Sequence, residues 1–361
     1  MVYFCNLLYS LWCSNWLSSI YLRINAPKSF ATYFLFFIPL WFIWLLICGG
    51  QYNVGTDYFT YYEIFENIDT EYFYRKSEWC FAFIIDVFRG VGIPPQGGFF
   101  IFYFINFYFF CKTLYLLDNL KTSFLFVLLY ISLSTIFNNQ LNGLRQSIAI
   151  YIFTYATVAF YIYKSYFRYI LLVLFAAGFH MSAYVLLPFC FCFKITNLKK
   201  ITCYLLICIG ALFSFIGSYE WILEISSSYL PAFYTPYIEG DLNTSNSIVN
   251  LITKWIFIPL YFLSISVLSK DISEKDRFLF IVGIIAYSIR LFFLENFIFD
   301  RIGQSFLLVS VFPIYVYMRY LYNNKKRLFC YFICLIFLLF YCLKTVFFPK
   351  GEYLYQAIYG L

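Results

Sequence analysis

One histidine stands in 361 residues, His180, and it lies inside an apolar run over 167–193. An imidazole at membrane depth costs free energy unless it is hydrogen-bonded within a helix bundle or faces a water-filled cavity. The position therefore marks either a buried polar contact or a place for proton transfer. Arg145, Arg290, Arg301 and Lys254 also fall near the ends of apolar segments. A guanidinium keeps its charge when desolvated and grips phosphate through two parallel N–H bonds, so converging arginines suit an anionic lipid headgroup. Scattered cations reaching for the membrane surface are the plainer alternative, and Lys254 fits it best. Asp300 and Glu295 are near enough in sequence to neutralise Arg301 and Arg290.

The elements that position these groups must be membrane helices. Hydrophobic residues make up 63% of the chain and charged residues only 12%, more apolar surface than a soluble domain buries. The twelve cysteines fall in apolar segments, with only Cys80 beside a polar loop, and read as small hydrophobes. No Cys-x-x-Cys pair or His/Cys cluster offers a zinc site. Residues 1–19 lack a basic leader region and a small-residue cleavage site, so they read as a first span.

Apolar segments of membrane-spanning length recur at about 3–22, 31–49, 98–117, 122–138, 141–163, 166–193, 199–217, 249–268, 277–295, 301–320 and 326–347. The expected fold is an all-α polytopic membrane protein of about 11 (10–12) transmembrane segments, one transmembrane domain over 1–361 with external loops at about 51–97 and 218–248. In the first loop Asp57, Glu63, Glu66, Asp69, Glu71, Glu78 and Asp86 outnumber Arg75, Lys76 and Arg89; the second has Glu220, Glu224, Glu239 and Asp241 and no cation. Lys and Arg collect in the other connections, which the positive-inside rule makes cytoplasmic.

One connection breaks the alternation. A single crossing by 166–193 would put Lys194, Lys199 and Lys200 outside and invert every later loop, including Arg319, Lys325, Lys326 and Arg327. A re-entrant element or helical hairpin at 166–193, broken near Gly178 with His180 at its tip, restores the pattern, and such a turn survives only inside protein or beside a cavity. A long tilted span that locally violates the charge rule is the alternative.

Gly55-Thr56-Asp57-Tyr58 with Tyr61 and Tyr62, then Glu78, then the run from Asn142-Gly143-Leu144-Arg145 to Ala149, then the run from Ala176 through Gly178-Phe179-His180 to Ala183, follow one another in an order and spacing that resembles the EpsG/Wzy family of polysaccharide polymerases. The resemblance covers about 50–190 and thins later, where 301–306 matches loosely and Ser305 stands where tyrosine is usual. Gln51 stands where an arginine commonly precedes the Gly-Thr-Asp motif.

The resemblance implies an O-antigen or polysaccharide polymerase of the bacterial inner membrane, with GT-C-like glycosyltransferase architecture. Such an enzyme transfers the growing glycan from undecaprenyl pyrophosphate to the non-reducing end of a lipid-linked repeat unit on the periplasmic face. Its implied partners are undecaprenyl-pyrophosphate-linked oligosaccharides, the lipid bilayer, a chain-length regulator and a flippase, with no nucleic acid. No cofactor or metal is expected, and no Asp-x-Asp motif marks the external loops.

That chemistry needs cations for the leaving pyrophosphate, a base for the acceptor hydroxyl and surfaces for sugars. Arg145, at a helix start after Asn142-Gly143, suits phosphate, with Arg290 and Arg301 as further pyrophosphate-binding cations. His180 is either a base or a donor to a phosphate oxygen, and Asp57 and Glu78 are alternative bases or solvated loop acids. Tyr58, Tyr61 and Tyr62 are candidates for stacking on glycan or for anchoring at the interface. Two other classes fit a multispan chain: a lipid-linked oligosaccharide flippase, which would be expected to line a central path with its charges, and a membrane acyltransferase using the lone histidine.

Overall fold

A computed structural model describes residues 1–216, 248–294 and 297–358. The second expected loop, 218–248, falls outside the described residues except for its last position, and so does Glu295. Every regular element described is helical, with one isolated antiparallel bridge between Gln51 and Ala357. Long apolar runs fold this way because only a helix satisfies its own backbone where no water is present.

The helices follow the apolar runs closely. They are α1 (Val2–Arg23), α2 (Phe30–Phe36) and α3 (Ile38–Gly49), then three short helices in the first polar loop, α4 (Tyr58–Glu66), α5 (Glu71–Arg75) and α6 (Trp79–Gly90). After these come α7 (Pro95–Leu117), α8 (Ser123–Ser132), α9 (Ile136–Asn139), α10 (Leu144–Tyr163) and α11 (Tyr166–Ala177), a 3-10 segment Met181–Lys194, and α12 (Lys200–Ile216). The rest of the described chain forms Ile248–Trp255, Ile258–Ser264, Glu274–Phe292, Phe297–Gln304, Phe312–Asn323 and Arg327–Cys342.

Among the described residues three helices are long and apolar enough to cross a membrane, Pro95–Leu117, Leu144–Tyr163 and Arg327–Phe347, and α2 with α3, bent by 63°, make a fourth if the pair is one span. Pro39 accounts for that bend: it has no N–H to bond the Leu35 carbonyl and its ring crowds that carbonyl, so the helix breaks at Phe37 and restarts at Ile38. The other expected spans are present as shorter or interrupted helices. The segment at 122–138 breaks where Thr135 takes φ 57°, and 249–268 breaks just before Pro259.

Two compact units arise from these elements, the first comprising Met1–Leu187 and Leu321–Leu361 and the second Pro188–Tyr320. In the first, α7 lies against α3 and α10, and α1 lies against α8. Trp44 is fully buried there among Phe107, Phe110, Tyr130 and Phe137, with ring centroids 5.2–5.8 Å away. Beside this aromatic core runs a buried polar network. Gln51 donates to Tyr103 (2.7 Å), Tyr103 to the Gln140 carbonyl (3.1 Å), and Asn106 to the Gln140 side chain (3.1 Å) and Ser147 (3.0 Å). Outside, Phe167 and Leu328 are 72% and 86% exposed. Polar groups inside and large apolar groups outside is the distribution that a bilayer favours, and the chain is a multi-pass, membrane-embedded helical protein.

In the second unit α12 packs along Glu274–Phe292. Among its described residues two ion pairs join its helices, Arg319 with Asp276 at 2.6 Å and Lys254 with Asp300 at 2.8 Å.

Between α11 and the 3-10 segment the chain doubles back within the first unit. Tyr169 donates its hydroxyl to the Leu186 carbonyl at 2.6 Å, 17 residues away. A straight path over that stretch would separate them by more than about 25 Å at 1.5–2.0 Å per residue. The reversal falls at Gly178-Phe179-His180, between the end of α11 and Met181.

Candidate functional site

Four stretches far apart in sequence meet in the first unit. Gly55 adopts φ 76°, a left-handed turn that a side chain strains, and a Cβ there would stand 2.6 Å from Asn142 Oδ1. The approach is close because Asn142 Oδ1 accepts from the Asp57 N–H (2.9 Å) and from Thr56 Oγ1 (3.1 Å). One amide oxygen thereby stitches the Gly-Thr-Asp turn to the Asn-Gly turn that leads into α10.

The second stitch joins α10, α6 and the turn after α11. Arg145, the second residue of α10, bonds through Nη1 to Oε2 of Glu78, the residue that caps α6. The other carboxylate oxygen, Oε1, accepts from the Met181 N–H at 3.1 Å. Glu78 is only 2% exposed, so a lone charge there would be costly, and two bonds with an adjacent cation offset its desolvation. The Phe81 N–H donates to the Gly178 carbonyl at 3.0 Å, and a Cβ on Gly178 would meet Cys80 Sγ at 2.6 Å. Glycine is what lets α6 and the turn abut.

Aromatic rings enclose the guanidinium. Its central carbon lies 5.0 Å from the Phe73 ring centre, 5.3 Å from Phe81 and 6.0 Å from Tyr61, within cation–π range. Arg145 Nε is buried without a hydrogen-bond partner among the described residues. Arg145 thus stands at the helix start that its sequence position implies, already engaged by a carboxylate.

His180 follows the turn and is half-buried. Its Nδ1 lies 2.7 Å from Ser182 Oγ and accepts from the Ser182 N–H at 3.3 Å. A ring nitrogen that accepts a backbone N–H carries no proton, so this bond assigns the proton of the neutral ring to Nε2. Asp57 is half-buried, with Oδ1 accepting from Thr56 Oγ1 at 3.1 Å.

The tyrosines divide. Tyr58 and Tyr61 are buried in the core, Tyr58 stacked on Phe99 at 5.1 Å and bonded to Gln96 at 3.0 Å. Burial, with Tyr62 and Tyr52 nearby, pushes the Tyr58 phenol up to about 12. Neither ring offers a face to a sugar in this structure, whereas Tyr62 is half-buried and closer to the surface. Gln51 points inward to Tyr103.

Arg290 and Arg301 belong to the second unit. Arg290 donates to Ser310 Oγ at 2.9 Å, and Arg301 is exposed. Asp300 pairs with Lys254 and also accepts from Gln304 at 3.3 Å. Among the described residues no three His, Cys, Asp or Glu side chains gather as a metal site.

Several contributors were not assigned a role from sequence. Asn142 opened the motif run that leads to Arg145 but had no role of its own there, and Phe73 and Phe81 are two of 49 phenylalanines with nothing to single them out.

A sequence model of the EpsG family matches residues 30–357, nearly the whole chain, and the chain belongs to that family. No curated protein and no solved structure matches it.

Proposed function

From EpsG-family membership, which supports a polysaccharide polymerase-type role, we propose that the chain is a membrane glycosyltransferase. It moves a growing glycan from undecaprenyl pyrophosphate to the non-reducing end of a lipid-linked repeat unit at the periplasmic face of the bacterial inner membrane. The observation that carries the assignment of its site is that Glu78 bonds both Arg145 and the Met181 N–H, next to His180, while the Asp57 N–H bonds Asn142, three residues before Arg145.

In the proposed step the anomeric carbon–oxygen bond to pyrophosphate breaks and the acceptor hydroxyl oxygen bonds to that carbon. The hydroxyl proton passes to a carboxylate, and the electron pair leaves on the pyrophosphate. Asp57 is the base in this scheme because it is half-buried and, among the described residues, no cation bonds its carboxylate, unlike that of Glu78. His180 donates from Nε2 to a phosphate oxygen, as its tautomer favours. Arg145 adds charge through the N–H groups that Glu78 leaves, and Glu78 is a positioning residue that aims the guanidinium and ties down Met181. Tyr62 is the tyrosine of the three best placed to touch glycan. The full set of about 11 spans and a GT-C-like arrangement complete this reading.

Purified protein in vesicles, supplied with a defined undecaprenyl-pyrophosphate-linked repeat unit, tests it. Products with two or more repeats on one lipid are expected. Unchanged single repeats that move between leaflets would instead identify a flippase.

A further inference from the structure

A groove of about 540 Å³ opens beside the site in the first unit, within the range of ligand pockets. Its walls include Trp79, Phe83, Phe104, Tyr108, Phe175 and Phe179, side chains that offer wide apolar faces and little to bond a sugar. We propose that this groove seats the isoprenoid chain of the lipid-linked substrate, a reading that rests on the polymerase function above.

Continuity with the site carries the inference. Trp79 directly follows Glu78, and Phe179 directly precedes His180, so the groove begins where the polar cluster ends. Along α7 the direction is legible. Phe99 and Phe102 pack at the level of the cluster, against Tyr58 and Phe81 at 5.1 Å, whereas Tyr108 lies six residues beyond Phe102, about 9 Å further along the helix. Phe175 lies in the last turn of α11, four residues before Phe179. Phe83, at 60%, Phe104 and Phe175 are exposed, which leaves the groove open on the apolar outer surface. A ligand lying in it with its polar head at Glu78, Arg145 and His180 must have a long apolar tail.

The choice of an isoprenoid over a bilayer acyl chain follows from the head group that it carries. The pyrophosphate to which it is joined then meets Arg145 and the Nε2 donor of His180, whereas a bilayer lipid gains no such match.

Photolabelling tests the assignment without needing turnover. The full chain is reconstituted in phosphatidylethanolamine and phosphatidylglycerol vesicles with geranylgeranyl pyrophosphate carrying a diazirine on its last isoprene unit. A phosphatidylglycerol with a mid-chain diazirine serves as the second probe. The isoprenoid probe should label 79–84 and 104–109, excess undecaprenyl pyrophosphate should displace it, and Phe104→Trp, which fills the groove, should cut labelling about tenfold. Phe83→Ala gives a second, less crowded variant if Phe104→Trp does not fold. Equal labelling by the phosphatidylglycerol probe that undecaprenyl pyrophosphate leaves in place, or no label in these stretches, overturns the proposal. If the isoprenoid label appears but no polymer forms, the groove stands and the polymerase reading fails. Polymer made by Phe104→Trp with unchanged KM does the reverse.

Discussion

Arg145 and Glu78 carry opposite charges 67 residues apart in sequence, and their pairing changes what each can do. With Glu78 2% exposed, deleting either partner leaves a charge stranded in a poorly solvated place, a loss of about 3–5 kcal/mol. Arg145→Ala and Glu78→Ala are therefore both expected to lower the melting temperature in detergent. The double variant Glu78→Leu with Arg145→Met should recover most of that stability but no polymerisation. Recovered activity in the double variant would make the pair purely architectural. Arg145→Lys should fold and still lose most activity, since an ammonium keeps the charge but neither the fork nor the flat face between Phe73 and Phe81. At this scale the sequence was partly legible. His180 and Arg145 stood out as rare polar types beside apolar runs, and Asp57 and Glu78 emerged from the motif order among seven acids of one polar loop, but their partners did not. Nothing local told that Lys254 faces Asp300, or that Tyr58 and Tyr61 point inward, because tyrosine is equally at home in a core, at an interface or against a sugar.

The turns that join elements account for how the polar residues come together. Gly55 and Gly178 sit where one more carbon would collide with Asn142 and Cys80. Gly55→Ala must also hold an alanine at φ 76°, so it should destabilise by about 1–3 kcal/mol. A thermal shift reads this, and an unchanged melting point would mean that the turn is free to relax. The helical hairpin is tested by distance. Spin labels at Arg168 and Leu187 should lie within about 20 Å if the chain doubles back, whereas a continuous segment would separate them by about 30 Å. Element positions were the most readable part of the fold: segments expected at 3–22 and 98–117 are the helices Val2–Arg23 and Pro95–Leu117. Interruptions were read unevenly: the break near Gly178 was expected, and Pro39 and Pro259 mark two more, whereas Ser132-Leu133-Ser134-Thr135 turns with no glycine or proline to announce it.

At the largest scale, the first unit turns side chains such as Phe167 and Leu328 outward while, within it, Asn106 bonds to Gln140 and Ser147 and Tyr103 links Gln51 to Gln140. That arrangement lets a chain with few charges place several of them in one cluster next to an apolar groove. Composition announced the membrane, and the order of four short motifs announced the family. The hydrogen bonds that fuse those motifs into one cluster depend on packing across 50–180 and were beyond any local pattern. The central claim is that this cluster polymerises lipid-linked glycan, and the most direct measurement is product per folded molecule from Asp57→Asn and His180→Ala beside the wild type, each with its melting temperature. Product should fall by about 10²–10⁴-fold for Asp57→Asn and strongly for His180→Ala, with melting points close to the wild type. Full-length polymer from folded Asp57→Asn and His180→Ala proteins would contradict the account.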